Sequence, residues 1–160
     1  MRPFAAAFLL AMPGVALAGS AKQETDFYLS APSDRVCDWI EHHAADLERA
    51  AGAVVAAERG DQIKLDASDD HGRYVFWVRR TAQHGRYRED LVQTLVGDLT
   101  HEQSIVEVAP NQGGGCTVTI RMNATIEGLA NVKIAVGCRR AIRGMRGLLE
   151  KTFGQPSDSE

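Results

Sequence analysis

The sequence lacks the short motifs by which many enzyme classes are identified. It has no serine-nucleophile motif, no phosphate-binding glycine loop that opens a helix, and no His-Glu-x-x-His zinc motif. The glycine-rich run at residues 111–115 lies between two predicted strands, so it indicates a hairpin loop and not a nucleotide cradle. These absences favour a protein that binds without catalysis, while leaving an enzyme open.

Metal-binding and redox spacings are also missing. The cysteines form no Cys-x-x-Cys pair, which argues against redox catalysis and a structural zinc site. His42 and His43 are adjacent on a predicted helix, where their side chains diverge by about 100°. His71, His84 and His101 lie in predicted loops. We therefore expect no metal and no cofactor.

A single apolar run, at residues 1–18, sets the expected location of the protein. Arg2 precedes an apolar stretch that ends in Ala16-Leu17-Ala18, the small-x-small pattern of a signal-peptide cleavage site. We expect a signal peptide at 1–18, one domain at 19–154 and a disordered tail at 155–160, and hence a secreted or periplasmic protein. The formal net charge of −3 gives no indication of nucleic-acid binding.

A long amphipathic helix is predicted over residues 129–153. Apolar and basic residues recur there with a period of about 3.6, so they fall on opposite faces of a helix. Gly154 and Pro156 predict its end. The apolar face comprises Ile134, Cys138, Ala141, Ile142, Met145, Leu148, Leu149 and Phe153, and the basic face Lys133, Arg139, Arg140, Arg143, Arg146 and Lys151.

Three glycines, Gly137, Gly144 and Gly147, fall together on one edge of this helix. Each costs about 1 kcal/mol relative to alanine in a helix interior. One explanation is a bend that lifts the helix to admit a ligand, in which case Gly144→Ala stabilises the fold and slows ligand association. The other is the close approach of a neighbouring segment. The sequence does not decide between them.

The preceding part of the chain predicts one strand, two short helices and six antiparallel strands. The first strand is predicted at 25–30, after a polar lead-in, and a helix opens after Pro32. A second helix over 44–51 ends at Gly52. From residue 53 onward the apolar residues alternate with a period of two, which is typical of half-buried strands.

The hairpin turns set the expected strand registers. A turn at His84-Gly85 brings two opposite charge pairs and two apolar pairs together, which favours this register over any other. The His84-Gly85 hairpin places Arg80 opposite Glu89, Arg79 opposite Asp90, Val78 opposite Leu91 and Trp77 opposite Val92. The other two hairpins place Val54 opposite Ala67, Ala56 opposite Leu65, Val108 opposite Val118, Val106 opposite Ile120 and Ser104 opposite Met122.

This order of elements, the segment SAPSDRVCDWI after the first strand and the long terminal helix resemble the START-like, or SRPBCC, superfamily. That superfamily includes polyketide cyclase-like proteins and the birch-pollen-allergen group. The resemblance implies an α+β helix-grip fold, in which a curved seven-stranded antiparallel sheet wraps around the C-terminal helix and two short helices follow the first strand. It also implies a hydrophobic cavity between sheet and helix.

The expected cavity predicts an exported, non-enzymatic carrier or sensor of a hydrophobic small molecule or lipid. Arg80 and Glu89 lie on the same face and have three interpretations: polar groups that orient the ligand, the anion stabiliser and general base of a cyclase- or isomerase-like enzyme, or a simple ion pair. A packed interaction module without a cavity is a further alternative. The predicted pocket comprises Phe76, Val78, Leu91, Val106, Ile120, Met122, Ile134, Cys138 and Met145.

The resemblance also bears on the cysteines and the basic helix face. It implies that a disulfide, if one forms, joins Cys37 to Cys138, with Cys116 at the opposite end of the sheet on the assumption that all seven strands alternate in direction. Three reduced thiols are the alternative. The basic face predicts either a solvated surface or contact with an anionic membrane through Arg139, Arg140 and Arg143.

Overall fold

The computed structural model describes residues 18–154, so the predicted tail and all of the predicted signal peptide except Ala18 lie outside the described residues. The predicted order of one strand, two short helices, six strands and one long helix is confirmed. The elements are β1 (Ala18–Leu29), α1 (Ser33–His42), α2 (Ala44–Ala51), β2 (Ala53–Arg59), β3 (Gln62–Asp69), β4 (Gly72–Gln83), β5 (Arg86–Val96), β6 (Leu99–Pro110), β7 (Cys116–Glu127) and α3 (Asn131–Phe153).

The strands form one antiparallel sheet in the order β1-β7-β6-β5-β4-β3-β2. The last strand, β7, therefore lies between β6 and the edge strand β1. The long helix α3 packs against β1, β7 and α2, and so covers the inner face of the curved sheet. This is the predicted helix-grip architecture. Among residues 18–154, no helix is both long and apolar enough to cross a lipid bilayer.

The predicted registers hold except where a strand contains a bulge. Arg80 pairs with Glu89, and the register of the β6–β7 hairpin is the predicted one. Trp77, however, pairs with Gln93 and not with Val92, because the register shifts between Trp77 and Val78. A second shift in β2 pairs Val55 with Leu65 and Ala53 with Ala67, in place of the predicted Ala56–Leu65 and Val54–Ala67 pairs. Bulges of this kind leave one residue unpaired and are not encoded in the turn.

Two strand boundaries differ from the prediction. β1 begins at Ala18, because residues 18–24 pair through their backbone with the second half of β7 although their sequence is polar. β6 begins at Leu99 and therefore includes His101, which was predicted to lie in a loop, and the turn before it is only Gly97-Asp98. Backbone pairing along an existing strand thus extends the sheet beyond what the apolar pattern shows.

The predicted disulfide between Cys37 and Cys138 does not form, and its topological basis is wrong. All three cysteines are free thiols, and Cys37 packs against the apolar cluster that contains Cys116, whereas Cys138 belongs to a different cluster. Cys116 pairs with Leu29 at the end of β1. The prediction assumed that all seven strands alternate in direction. Because α1 and α2 carry the chain back across the sheet, β2 instead runs in the direction of β1, and β7 is antiparallel to β1.

The glycines of α3 have different surroundings. A side chain at Gly144 would overlap the carbonyl oxygen of Ala50, the point where the C-terminal turn of α2 meets α3. Around Gly147, by contrast, nothing lies within 4 Å of such a side chain. The close-approach explanation therefore holds at Gly144, and the expectation that Gly144→Ala stabilises the fold is wrong.

We predict opposite effects of alanine at these two helical positions. Gly144→Ala should lower the free energy of unfolding by roughly 1–3 kcal/mol, because α2 must move away from α3. Gly147→Ala should raise it by about 0.4–1 kcal/mol, since only the flexibility of the unfolded chain changes. Urea unfolding followed by circular dichroism measures both. Equal stabilisation by the two substitutions would contradict the α2–α3 contact.

Candidate functional site

The inner face of the sheet carries two separate apolar clusters. The first surrounds α1 and the C-terminal half of α3, and the second lies beneath the N-terminal half of α3. Met122 packs against both. The first cluster includes Phe27, Leu29, Val36, Ile40, Leu47, Tyr87, Val106, Val108, Cys116, Val118, Ile120, Ile142, Met145 and Leu149. The second consists of Ala53, Ile63, Leu65, Phe76, Val78, Leu99, Ala124, Ile134 and Cys138 with the half-buried residues around them.

A row of polar residues separates the clusters. Arg80 of β4 pairs with Glu89 of β5, Glu89 with Ser104 of β6, and Ser104 with Met122 of β7. Directly paired residues of antiparallel strands project to the same face, so Arg80, Glu89 and Ser104 form a transverse polar row on the inner face. Along β5, β6 and β7, apolar residues on one side of the row belong to the first cluster and those on the other side to the second.

The Arg80–Glu89 pair is the electrostatic centre of this row. Arg80 Nε donates to Glu89 Oε1 at 2.8 Å, and the Glu89 side chain is only 12% exposed. Arg80 Nη2 is buried and has no hydrogen-bond partner among the described residues. The predicted pairing of the two residues is confirmed, and both lie on the wall of a cavity.

Two more glutamates join Glu89 on the inner face. Glu48 approaches it from α2, and a hydrogen bond between the two carboxyls is among the causes that raise the pKa of Glu48. Glu102 lies two residues before Ser104 on β6 and is 8% exposed; its Oε2 has no hydrogen-bond partner in the described part of the chain. We call Glu48, Glu89 and Glu102 the acidic cluster.

Burial raises the pKa of two members of the acidic cluster. Burial is the largest cause that raises the pKa of Glu48 well above the usual range, followed by the charge of Glu89 and the hydrogen bond to it. Burial likewise raises the pKa of Glu102, and the charges of Glu89 and Asp90 add to the effect. Each carboxyl is thereby favoured in its neutral form, while Glu89 is paired with Arg80.

Two cavities meet at the polar row. One has a volume of about 230 Å³ and lies between α1, α2 and the strands β4–β6. The other has a volume of about 200 Å³ and lies between the second cluster and the N-terminal half of α3. Glu48, Glu89, Ser104 and Met145 line both cavities, so they form the wall between them.

Most of the predicted pocket residues are brought together around these cavities. Three of the nine, Val78, Leu91 and Ile120, pack into the clusters without lining either cavity. Val106 lines the first cavity and Met145 lines both. Those lining the second cavity are Phe76, Met122, Ile134, Cys138 and Met145.

The prediction missed Glu48, Glu102 and Ser104 as site residues. Glu102 could have been predicted, because the confirmed register places Ser104 opposite Met122, and the period-two alternation then turns Glu102 inward as well. Glu48 could not have been predicted, since its position over the sheet depends on how α2 packs. Among residues 18–154, no group of three or more His, Cys, Asp or Glu side chains is arranged to hold a metal ion.

The basic residues predicted to meet a membrane lie outside the cavities or at their rim. Arg139, Arg140 and Arg143 are exposed on α3, and Arg140 Nη2 lies 3.7 Å from Asp70 Oδ2. Val132 and Val136 on the preceding turns are also exposed, at 65% and 42%. The structure thus places apolar and basic side chains side by side near the entrance of the second cavity.

We predict that Glu102 makes the protein less stable as the pH rises. A carboxyl with a raised pKa binds more protons in the folded than in the unfolded state, so stability falls as the pH rises above the unfolded value of about 4.3. The slope is at most about 1.4 kcal/mol per pH unit for each such proton. Glu102→Gln should flatten the curve of unfolding free energy against pH, whereas Glu58→Gln at an exposed position should not. Parallel curves for Glu102→Gln and the unmodified protein would refute the buried neutral carboxyl.

Comparisons with solved structures support the fold independently. The sequence matches no protein-family model and no curated protein. A START superfamily protein from Mycobacterium smegmatis is 12% identical, with 82% of this chain and 96% of that chain covered and a TM-score of 0.62. A major latex-like protein from Panax ginseng is 12% identical over 84% and 97% of the chains, with a TM-score of 0.59. An aromatase/cyclase from a Streptomyces species is 9% identical over 88% and 99%, with a TM-score of 0.60. The architecture and these likenesses together establish that the chain has the START-like, or SRPBCC, helix-grip fold.

Proposed function

We propose that this protein is a carrier or sensor that binds a hydrophobic small molecule or lipid between the sheet and α3. The observation that supports this most is the pair of adjoining cavities between the sheet and the helices, whose walls are mostly apolar. Interiors are normally packed without such voids, so unfilled volume beneath α3 forgoes packing energy. A bound apolar molecule would restore those contacts.

The size of the cavities defines what can enter. Each is smaller than the roughly 300–1,000 Å³ of a typical ligand pocket, but they adjoin along one wall. That wall includes Met145, whose unbranched side chain adapts its shape readily, and Glu48, which is carried by the short helix α2. A small ligand therefore fits within one cavity, and movement of these two side chains would join the cavities for a longer one.

We predict that filling the second cavity abolishes binding of an apolar probe. Ala141 is buried on α3 and lines this cavity, so Ala141→Leu places three additional carbon atoms inside it. Affinity for naphthalene, followed by its fluorescence, should fall about tenfold or more. Ala45→Leu makes the same change at an exposed position of α2 and should leave the affinity unchanged. Equal binding by both variants would contradict the location of the site.

A cyclase- or isomerase-like enzyme is a second candidate, and the acidic cluster favours it. Burial and the charge of Glu89 favour the neutral form of Glu48, and Arg80 pairs with Glu89, so an acid and a carboxylate base would lie side by side in a cavity. One protein with this fold is an aromatase/cyclase. Turnover of a polyketide-like substrate that is lost in Glu89→Gln would support this candidate. Turnover that persists in that variant would exclude Glu89 as the base.

Export and membrane contact remain part of the proposal. The signal-peptide pattern supports a mature chain that begins at Gly19, which N-terminal sequencing of protein from its native host tests; an intact Met1 would contradict it.

Exposed Val132 and Val136 beside Arg139 and Arg143 support contact with anionic lipid. Sedimentation with phosphatidylglycerol vesicles should weaken in an Arg139→Gln, Arg143→Gln double variant, and unchanged sedimentation would exclude this surface.

A further inference from the structure

Binding a purely hydrophobic ligand does not require the three carboxyl groups of the acidic cluster. Glu48 from α2 and Glu89 from β5 line both cavities, and Glu102 from β6 lines the second. Glu102 is more than nine-tenths buried and lines the second cavity, and its Oε2 has no hydrogen-bond partner among residues 18–154. Leaving a buried acceptor unsatisfied is costly, which is why such atoms in native structures require an explanation. One explanation is a ligand that donates a hydrogen bond to Glu102.

The charges at this point favour a cation among possible donors. Three carboxylates with Arg80 would carry a net charge of −2 in a region that water reaches poorly, an arrangement that is strongly disfavoured. The raised pKa values of Glu48 and Glu102 favour their neutral forms, which lessens that charge when no ligand is present. An ammonium group entering the second cavity would take over this role, so that a carboxyl could release its proton and form a charge-assisted hydrogen bond.

We propose that the cavity selects hydrophobic molecules that bear a primary amine, with the ammonium group bound by Glu102 and Glu48. This inference rests on the proposed function and specifies its ligand class. The alkyl part of the molecule would lie against the apolar wall of the second cavity, formed by Leu65, Phe76, Leu99 and Ile134. One ligand would thus use both halves of an amphiphilic site.

The charges that act on the pKa of Glu102 are those of Glu89 and Asp90, and both are negative. Cys138 faces Glu102 from α3, and burial raises the pKa of its thiol to about 11, so it is neutral. Asp90, on the strand beside β6, adds negative charge. The remaining ionisable side chains that line the cavities are Glu41 and Tyr87 in the first, and Asp69, Tyr74, Lys133 and Arg140 in the second.

Three ligand headgroups predict three different proton balances. An alkylammonium ion displaces a proton from the acidic cluster, so its binding releases up to one proton. An alkanol donates a hydrogen bond without changing any charge, so its binding releases none. An alkanoate meets like charges and must bind together with a proton, unless it displaces Glu89 from Arg80. The number and sign of protons exchanged therefore identify the headgroup that the site accepts.

The test compares hexylamine, hexanol and hexanoate, which share one alkyl chain. Isothermal titration calorimetry of the full chain at neutral pH, in phosphate and in Tris buffer, gives the affinity and the number of protons exchanged. We expect hexylamine to bind about tenfold or more tightly than hexanol and to release close to one proton. Raising the pH by one unit should strengthen hexylamine binding and leave hexanol binding unchanged.

Two variants separate the charge from the cavity. Glu102→Gln keeps the size of the side chain but cannot ionise, so hexylamine affinity should fall about tenfold or more and proton release should decrease, while hexanol affinity changes less than about threefold. Glu58→Gln, at an exposed position of β2, is the matched control and should change neither. The proton count of the unmodified protein is an independent measurement if Glu102→Gln does not fold.

The remaining outcomes overturn the proposal in distinguishable ways. Equal affinities of hexanol and hexylamine without proton release would refute amine selection and leave the hydrophobic site intact. Tightest binding of hexanoate with proton uptake would also refute it, and would assign the headgroup to Arg80. Failure of all three probes to bind would overturn both this inference and the proposed function.

Discussion

The ion pair between Arg80 and Glu89 is the constraint around which the interior is arranged. It lies in the middle of the concave face, where burying two charges costs several kcal/mol unless their geometry and surroundings compensate. Apolar side chains cannot pack through it, so the core divides into two clusters, and the unfilled volume adjoins the division. The cavities thus adjoin the charge at the centre of the sheet.

This arrangement is a poor way to gain stability. An apolar pair at the same positions would pack continuously between the clusters, and buried ion pairs replaced in this manner often leave a protein equally or more stable. The neighbouring Glu48 and Glu102 add to the cost, since burial holds both away from their preferred ionised form. Sequences break packing rules of this kind chiefly where function requires it. We therefore regard the polar row and the acidic cluster as the functional part of the cavity.

The sequence predicted the scaffold well and the centre of the site only partly. Element order, the β6–β7 register and the opposition of Arg80 and Glu89 follow from local patterns, because turns and period-two alternation determine which residues face each other. The packing of Cys37 against the cluster that contains Cys116 could not be predicted from local patterns, because it depends on how two helices return the chain across the sheet. The position of Glu48 in the cavity wall could not be predicted either, since an acidic residue on a short amphipathic helix normally indicates a solvated face. What local patterns miss is the packing of α2 over the sheet and α3, which also explains Gly144.

Methionine methyl groups offer the most direct test of where a ligand binds. The chain has four methionines: Met1 and Met12 lie in the predicted signal peptide, whereas Met122 and Met145 line the cavities. Methyl NMR spectra of protein labelled at methionine should show both Met122 and Met145 shifting on addition of hexanol, with Met145 affected by ligands in either cavity. Saturating shifts at these two methyl groups are the result we predict. Binding that leaves both resonances unmoved would place the ligand elsewhere and contradict a site between sheet and helix.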